Sequence, residues 1–291
     1  MPESLGSAAN RANSGPGATT GWPIAAFYVL ACALAWLVAL PVWLTPDPAP
    51  VLVQASAVIM MFTPSVAAII VVRLLERRPV IASVGLKSQP WRRTLASAGV
   101  VWAVLLVIVA FAMGASVVLG TLQVSGFSVP MLGAISAAVL INPVVSLIPT
   151  LGEEVGWRGY LYPRLQARLG VAGAVVLTGV MWALWHAPLI LRGYNYPAAP
   201  LLGLGLFIVP CIGMSAVLAW GVERGGSVWP AAIGHGVFNA ATSVTVLLLQ
   251  QQGTAIDTVA ATPLGWASWP VWLLTVVVMM ALMTWPARPQ Q

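Results

Sequence analysis

Glu153 and Glu154 stand side by side in "LGEEVGWRGY" (151–160), four or five residues before Arg158, in a chain with seven acidic residues out of 291. The only two histidines lie in other apolar runs, His186 in "WALWH" and His235 in "HGVFN". Residues four apart share a helix face, so Glu154 with Arg158, Trp182 with His186, and His235 with Asn239 each form a pair on one side. An ionisable group at bilayer depth is costly; it usually faces a cavity or a partner and marks function. Desolvation and like-charge repulsion disfavour two adjacent ionised carboxylates, and Arg158 relieves this for its nearer partner. One glutamate of the pair can then act as general base on a water, with His186 sharing in orienting it. His235 and Asn239 can offer hydrogen bonds to a tetrahedral oxyanion.

Other chemistries leave different residues. Paired intramembrane aspartates are excluded, because Asp47 and Asp257 are the only aspartates and both fall in loops. A His-Glu-x-x-His zinc motif is absent, although Glu153, His186 and His235 suffice in type as ligands for a catalytic zinc. Thr150-x-x-Glu153 also fits a capping box, Glu154 with Arg158 a structural ion pair, and Asn239 a cross-link between helices. The same intramembrane Glu and His would serve a proton-coupled transporter, but the repeated halves common in such proteins are not evident. A non-catalytic membrane partner or immunity protein is a further alternative.

The elements that must position these groups are membrane helices. The chain is 59% hydrophobic and 7% charged, with a mean hydropathy of +0.92; a soluble domain has about a quarter of its residues charged. This composition indicates an all-α integral membrane protein. Spanning the bilayer takes about 20 apolar residues. Eight spans are expected, at 22–44, 51–74, 94–120, 131–162, 171–191, 201–221, 228–250 and 267–285. The fourth is overlong and should kink at Pro143 and Pro149. At about 1.5 Å per residue, Glu153, His186 and His235 all reach the middle of a core about 30 Å thick, so the site would be buried in the bundle. Residues 1–20 read as a disordered cytoplasmic tail, 21–286 as the transmembrane domain with the motifs in 131–250, and 287–291 as a short cytoplasmic tail.

The net charge of +6 does not call for nucleic acid. With the loop carrying Arg73, Arg77, Arg78, Lys87, Arg92 and Arg93 inside, only Arg192 falls outside, so the positive-inside rule accounts for the charge and puts both termini in the cytoplasm. The bilayer is the partner this implies, and a bacterial plasma membrane is the expected location. Most tryptophans fall near span ends and read as interfacial anchors. Cys32 and Cys211 lie in apolar runs and read as unpaired. "LRGYNYP" (191–197) reads as a plain outer loop, and "YPRLQARLG" (162–170) as a short amphipathic segment opened by Pro163.

Three motifs together resemble one family. "EEVGWR" matches Glu-Glu-x-x-x-Arg, "WALWH" resembles an aromatic before a histidine, and "HGVFN" resembles His-x-x-x-Asn/Asp, in the order found in the CAAX protease and bacteriocin-processing (CPBP, or Abi) family of intramembrane proteases. That family includes the CaaX prenyl proteases of the Ras-converting type. The resemblance covers about 131–250. It implies an eight-helix membrane fold and an endopeptidase acting on a peptide or protein substrate, prenylated or membrane-bound substrates included, by CaaX-like or leader-peptide processing. Carried over, Glu153 is the base with His186 assisting, His235 and Asn239 form the oxyanion site, and Glu154 and Arg158 shape it. The prenyl-protease resemblance favours a metal-free glutamate mechanism with no cofactor. Trp182 stands where phenylalanine is commoner.

Overall fold

The computed structural model describes residues 21–87, 90–123, 128–251, 253 and 256–284; the expected tails 1–20 and 287–291 lie outside this range. The described residues form helices α1 (Gly21–Leu44), α2 (Pro50–Met60), α3 (Thr63–Val71), α4 (Val80–Ser83), α5 (Trp91–Val118), α6 (Val129–Val145), α7 (Leu147–Glu154), α8 (Tyr162–Trp185), α9 (Ala187–Ile190), α10 (Pro200–Leu206), α11 (Ile208–Gly225), α12 (Trp229–Gln251) and α13 (Trp269–Thr284), without a strand. Among the described residues, seven runs are long and apolar enough to cross a membrane, and α6 is a shorter apolar helix. The run Leu147–Trp185 is divided at Gly170, whose backbone (φ 70°, ψ −179°) is not helical. The protein is an all-α integral membrane protein.

Helices that are apolar all round bury only one stripe and leave the rest to lipid. In α1 the buried stripe is Phe27, Ala31, Ala35, Ala39 and Val42, against α2 and α3. Small residues at this spacing let backbones approach where water supplies no driving force. Central α11 packs on α5, α8, α12 and α13, while α12 also packs on α5, α6 and α7.

Several expected spans are broken rather than continuous. The fourth divides at Ser146, between Pro143 inside α6 and Pro149 in the first turn of α7. The fifth stops at Trp185, and His186 occupies the junction before the single turn of α9, where Pro188 lacks an N–H to continue the ladder. The sixth divides at Phe207, three residues before Pro210. Trp157, Trp185 and Trp272 are fully buried and are not interfacial anchors. Cys32 and Cys211 are both unpaired, as expected.

The charges segregate by end. Arg164 pairs with Glu76, Arg93 Nε donates to Arg224 O, and Arg224 Nη2 donates to Leu282 O at one end of the bundle. Arg192 sits at the other end, donating to Thr45 O.

Candidate active site

The two glutamates close α7, and the helix widens immediately after them into a π-helical stretch, Val155–Leu161. Such widened turns often mark functional sites. This stretch lies very close to its neighbours. A methyl group added at Gly156 would collide with the backbone of Pro64, and one at Gly159 with the carbonyl of Val84. Ser65 Oγ donates to Gly152 O at 2.5 Å, adding a tie to α3. The glutamates are therefore fixed to a rigid support, and both are buried, at 3% and 0% exposure.

Adjacent helical residues point about 100° apart, and the glutamates acquire different partners. Glu153 Oε2 accepts a hydrogen bond from Trp182 Nε1 at 2.7 Å. The capping-box alternative fails, because the Thr150 hydroxyl donates back to Ser146 O and Leu147 O while the Glu153 carboxylate is held by Trp182. Glu154 Oε1 accepts from both Arg158 Nη1 and His235 Nδ1, each at 2.9 Å. Arg158 Nη2 continues to Ser215 Oγ at 3.0 Å, and its guanidinium lies 4.2 Å from the Trp182 ring centre. Glu154 Oε2 and Arg158 Nε are buried with no partner among the described residues.

The histidines are oriented through Nδ1. His186 Nδ1 lies 2.8 Å from Trp182 O. A carbonyl only accepts, so Nδ1 carries the hydrogen and Nε2 is the nitrogen left for a ligand. The His186 ring is wedged between Trp185 and Phe207, at 4.7 and 4.9 Å between ring centres. His235 Nδ1 likewise meets an acceptor, Glu154 Oε1, which leaves its Nε2 as the second free nitrogen. Its ring stands edge-on to Trp182 at 5.3 Å. Trp182 thus touches Glu153, His186, His235 and Arg158.

A cavity of about 300 Å³ is lined by Glu153, Trp182, His186, His235 and Asn239, with Phe207, Met214 and Phe238 among its apolar walls. Of the candidate site residues in the three motifs, these five share the cavity. Glu154 and Arg158 are not among its lining residues and lie behind it. Asn239 lines the cavity and makes no side-chain hydrogen bond to a described residue. Among the described residues, no three of His, Cys, Asp and Glu gather as a set able to hold a metal ion. Sequence reasoning missed Ser215 and Phe207, which carry no local signal, and the indole N–H of Trp182, which the substitution for phenylalanine did announce.

Residues 135–241, which include all seven of these positions, match the family model described as type II CAAX prenyl endopeptidase Rce1-like. A 50-residue stretch is 44% identical to the protein named CAAX prenyl protease 2 of Methanococcus maripaludis. That stretch is 17% of this chain and spans 18% of the length of that relative.

Proposed function

We propose that the chain, whose residues 135–241 match the type II CAAX prenyl endopeptidase Rce1-like family model, is an intramembrane endopeptidase in which Glu153 activates water against a peptide bond. The observation that carries this reading is the shared cavity: a carboxylate, two imidazoles and a carboxamide from three helical regions line one space within the bundle. Glu153 takes a proton from the attacking water, and the new C–O bond converts the carbonyl into a tetrahedral oxyanion. The same carboxyl then passes its proton to the departing amine as the C–N bond breaks, leaving a carboxylate and a free amine. His186, protonated on Nδ1, accepts a hydrogen bond from that water at Nε2. Asn239 donates to the oxyanion, and His235 donates through Nε2 when its ring is doubly protonated with Glu154 as counter-ion. Burial of the site strengthens each of these contacts.

No metal is assigned to this mechanism, in which the free Nε2 atoms of His186 and His235 serve water and oxyanion; the same two nitrogens with Glu153 are the set that would hold zinc, and metal removal separates the two readings. Cleavage that persists in chelator, by protein free of bound zinc, is the expected result.

The substrate class is a membrane-associated peptide. The apolar walls suit a lipidated tail, and the name of the relative makes a prenylated C-terminal CaaX peptide the first to try. A leader peptide is the second. The basic end of the bundle is assigned to the cytoplasm of a bacterial cell, so a cysteine placed at Lys87 should react with an impermeant maleimide only in inverted vesicles. The decisive experiment uses full-length protein in detergent with a quenched farnesylated CaaX peptide, its unmodified counterpart and a leader peptide. Wild-type cleavage that is lost in Glu153→Gln supports the reading, and equal rates end it.

A further inference from the structure

The segment "LRGYNYP" has no part in the chemistry above, yet Tyr194 and Asn195 line the same cavity as Glu153. The segment is held at many points. Arg192 Nη2 donates to Thr45 O at 2.9 Å and Tyr196 OH to Leu264 O at 2.7 Å, while Trp43 Nε1 ties down the preceding α9 by donating to Pro188 O at 2.8 Å. Tyr194 N donates to Leu189 O at 3.1 Å. Tyr194 itself lies between Gly193 (φ 91°) and Asn195 (φ 65°), both left-handed. A non-glycine residue in that region persists where its surroundings enforce it, and such residues cluster at ligand sites.

The hydroxyl groups of Tyr160, Tyr162 and Tyr196 each donate to a protein acceptor. That of Tyr194 makes no hydrogen bond to any described residue. Burial first, and then the charge of Glu153, push this phenol above its ordinary value, so it remains a donor. Elsewhere in the cavity wall, Thr242 Oγ1 on α12 is buried and also lacks a partner among the described residues. Asn239, Tyr194 and Thr242 thus line one cavity with groups able to donate to the carbonyl oxygens of a peptide main chain.

We infer that Tyr194 is a substrate-contacting residue whose phenol O–H donates to a main-chain carbonyl of the peptide, next to the bond that Glu153 opens. This rests on the endopeptidase reading. The test compares full-length wild type, Tyr194→Phe and Glu153→Gln on the quenched farnesylated CaaX peptide. A second peptide has the carbonyl beside the scissile bond, on each side in turn, reduced to a methylene. Tyr194→Phe should lower kcat/KM about tenfold with the melting temperature unchanged. Reducing the contacted carbonyl should cost wild type a similar factor and cost Tyr194→Phe nothing further. A wild-type kcat/KM in Tyr194→Phe, or the same additional loss with the reduced peptides in both proteins, overturns the inference while Glu153→Gln remains inactive. If Glu153→Gln cleaves at the wild-type rate, or wild type cleaves no peptide, the endopeptidase reading itself falls and this inference with it.

Discussion

Two glutamate–arginine clusters rest on neighbouring arginines, Arg158 paired with Glu154 and Arg164 with the distant Glu76, and they are built differently. Toward the basic end, Arg164 grips Glu76 with both arms, Nε to Oε1 at 2.8 Å and Nη2 to Oε2 at 2.6 Å. Tyr160 OH adds a third bond to Oε1 at 3.1 Å, and the guanidinium lies 3.8 Å from the Tyr160 ring centre. In the bundle interior, Arg158 reaches only one oxygen of Glu154, and His235 shares that same oxygen. The outer cluster satisfies both carboxylate oxygens and suits a structural tie, since fork-to-fork pairing is the strong geometry. The inner one leaves a carboxylate oxygen and a guanidinium nitrogen unpartnered among the described residues and ties an imidazole to a fixed anion. Two buried charges are poor value as stabilisers, because their desolvation can exceed their attraction. The inner cluster is better explained as a device that orients His235 behind the cavity.

The largest expected effect separates the paired glutamates themselves. Glu153→Gln should reduce cleavage about 100- to 10,000-fold with little change in melting temperature, because the amide still accepts from Trp182. Peptide kinetics together with thermal melts would check both halves. Arg158→Ala should instead unfold the protein more easily, by about 3–5 kcal/mol, since it leaves the buried Glu154 without its cation and with only His235 as a partner. Combining Glu154→Leu with Arg158→Met should recover much of that stability but little activity, because His235 Nδ1 no longer has its acceptor. If the double variant cleaved normally, the orienting role would be wrong. Trp182→Phe should preserve packing and lose the indole bond to Glu153, lowering kcat about tenfold or more at constant expression. The smallest effect is expected at the outer cluster. Arg164→Ala should cost about 1–3 kcal/mol, changing little with salt because Arg164 and Glu76 are only 12% and 3% exposed, with kcat unchanged. A kcat that fell in step with Arg158→Ala would erase the distinction between the two clusters.

The membrane class and the division into apolar runs were legible because composition and length carry them directly. The scarcity of ionisable groups was equally direct: Glu153, Glu154, His186 and His235 stood out against hydrocarbon. The breaks at Ser146, His186 and Phe207 were less so. Pro143 and Pro149 announced the first, but Pro188 and Pro210 lay in runs apolar enough to read as continuous. The segment 191–197 read as a plain loop because nothing local to it reveals that Tyr194 reaches the Glu153 cavity.

By itself the sequence determined that this is a helical membrane protein with a few titratable side chains at depth, since hydropathy and residue scarcity are properties of the chain alone. It paired Glu154 with Arg158 and His235 with Asn239 through the helical repeat. Only the tertiary structure decided which glutamate faces the cavity and which is buried behind it. That choice depends on the rotation of α7 and its π-helical continuation against α3, α8 and α12, a phase set by close backbone contacts at Gly156 and Gly159 between segments distant in sequence.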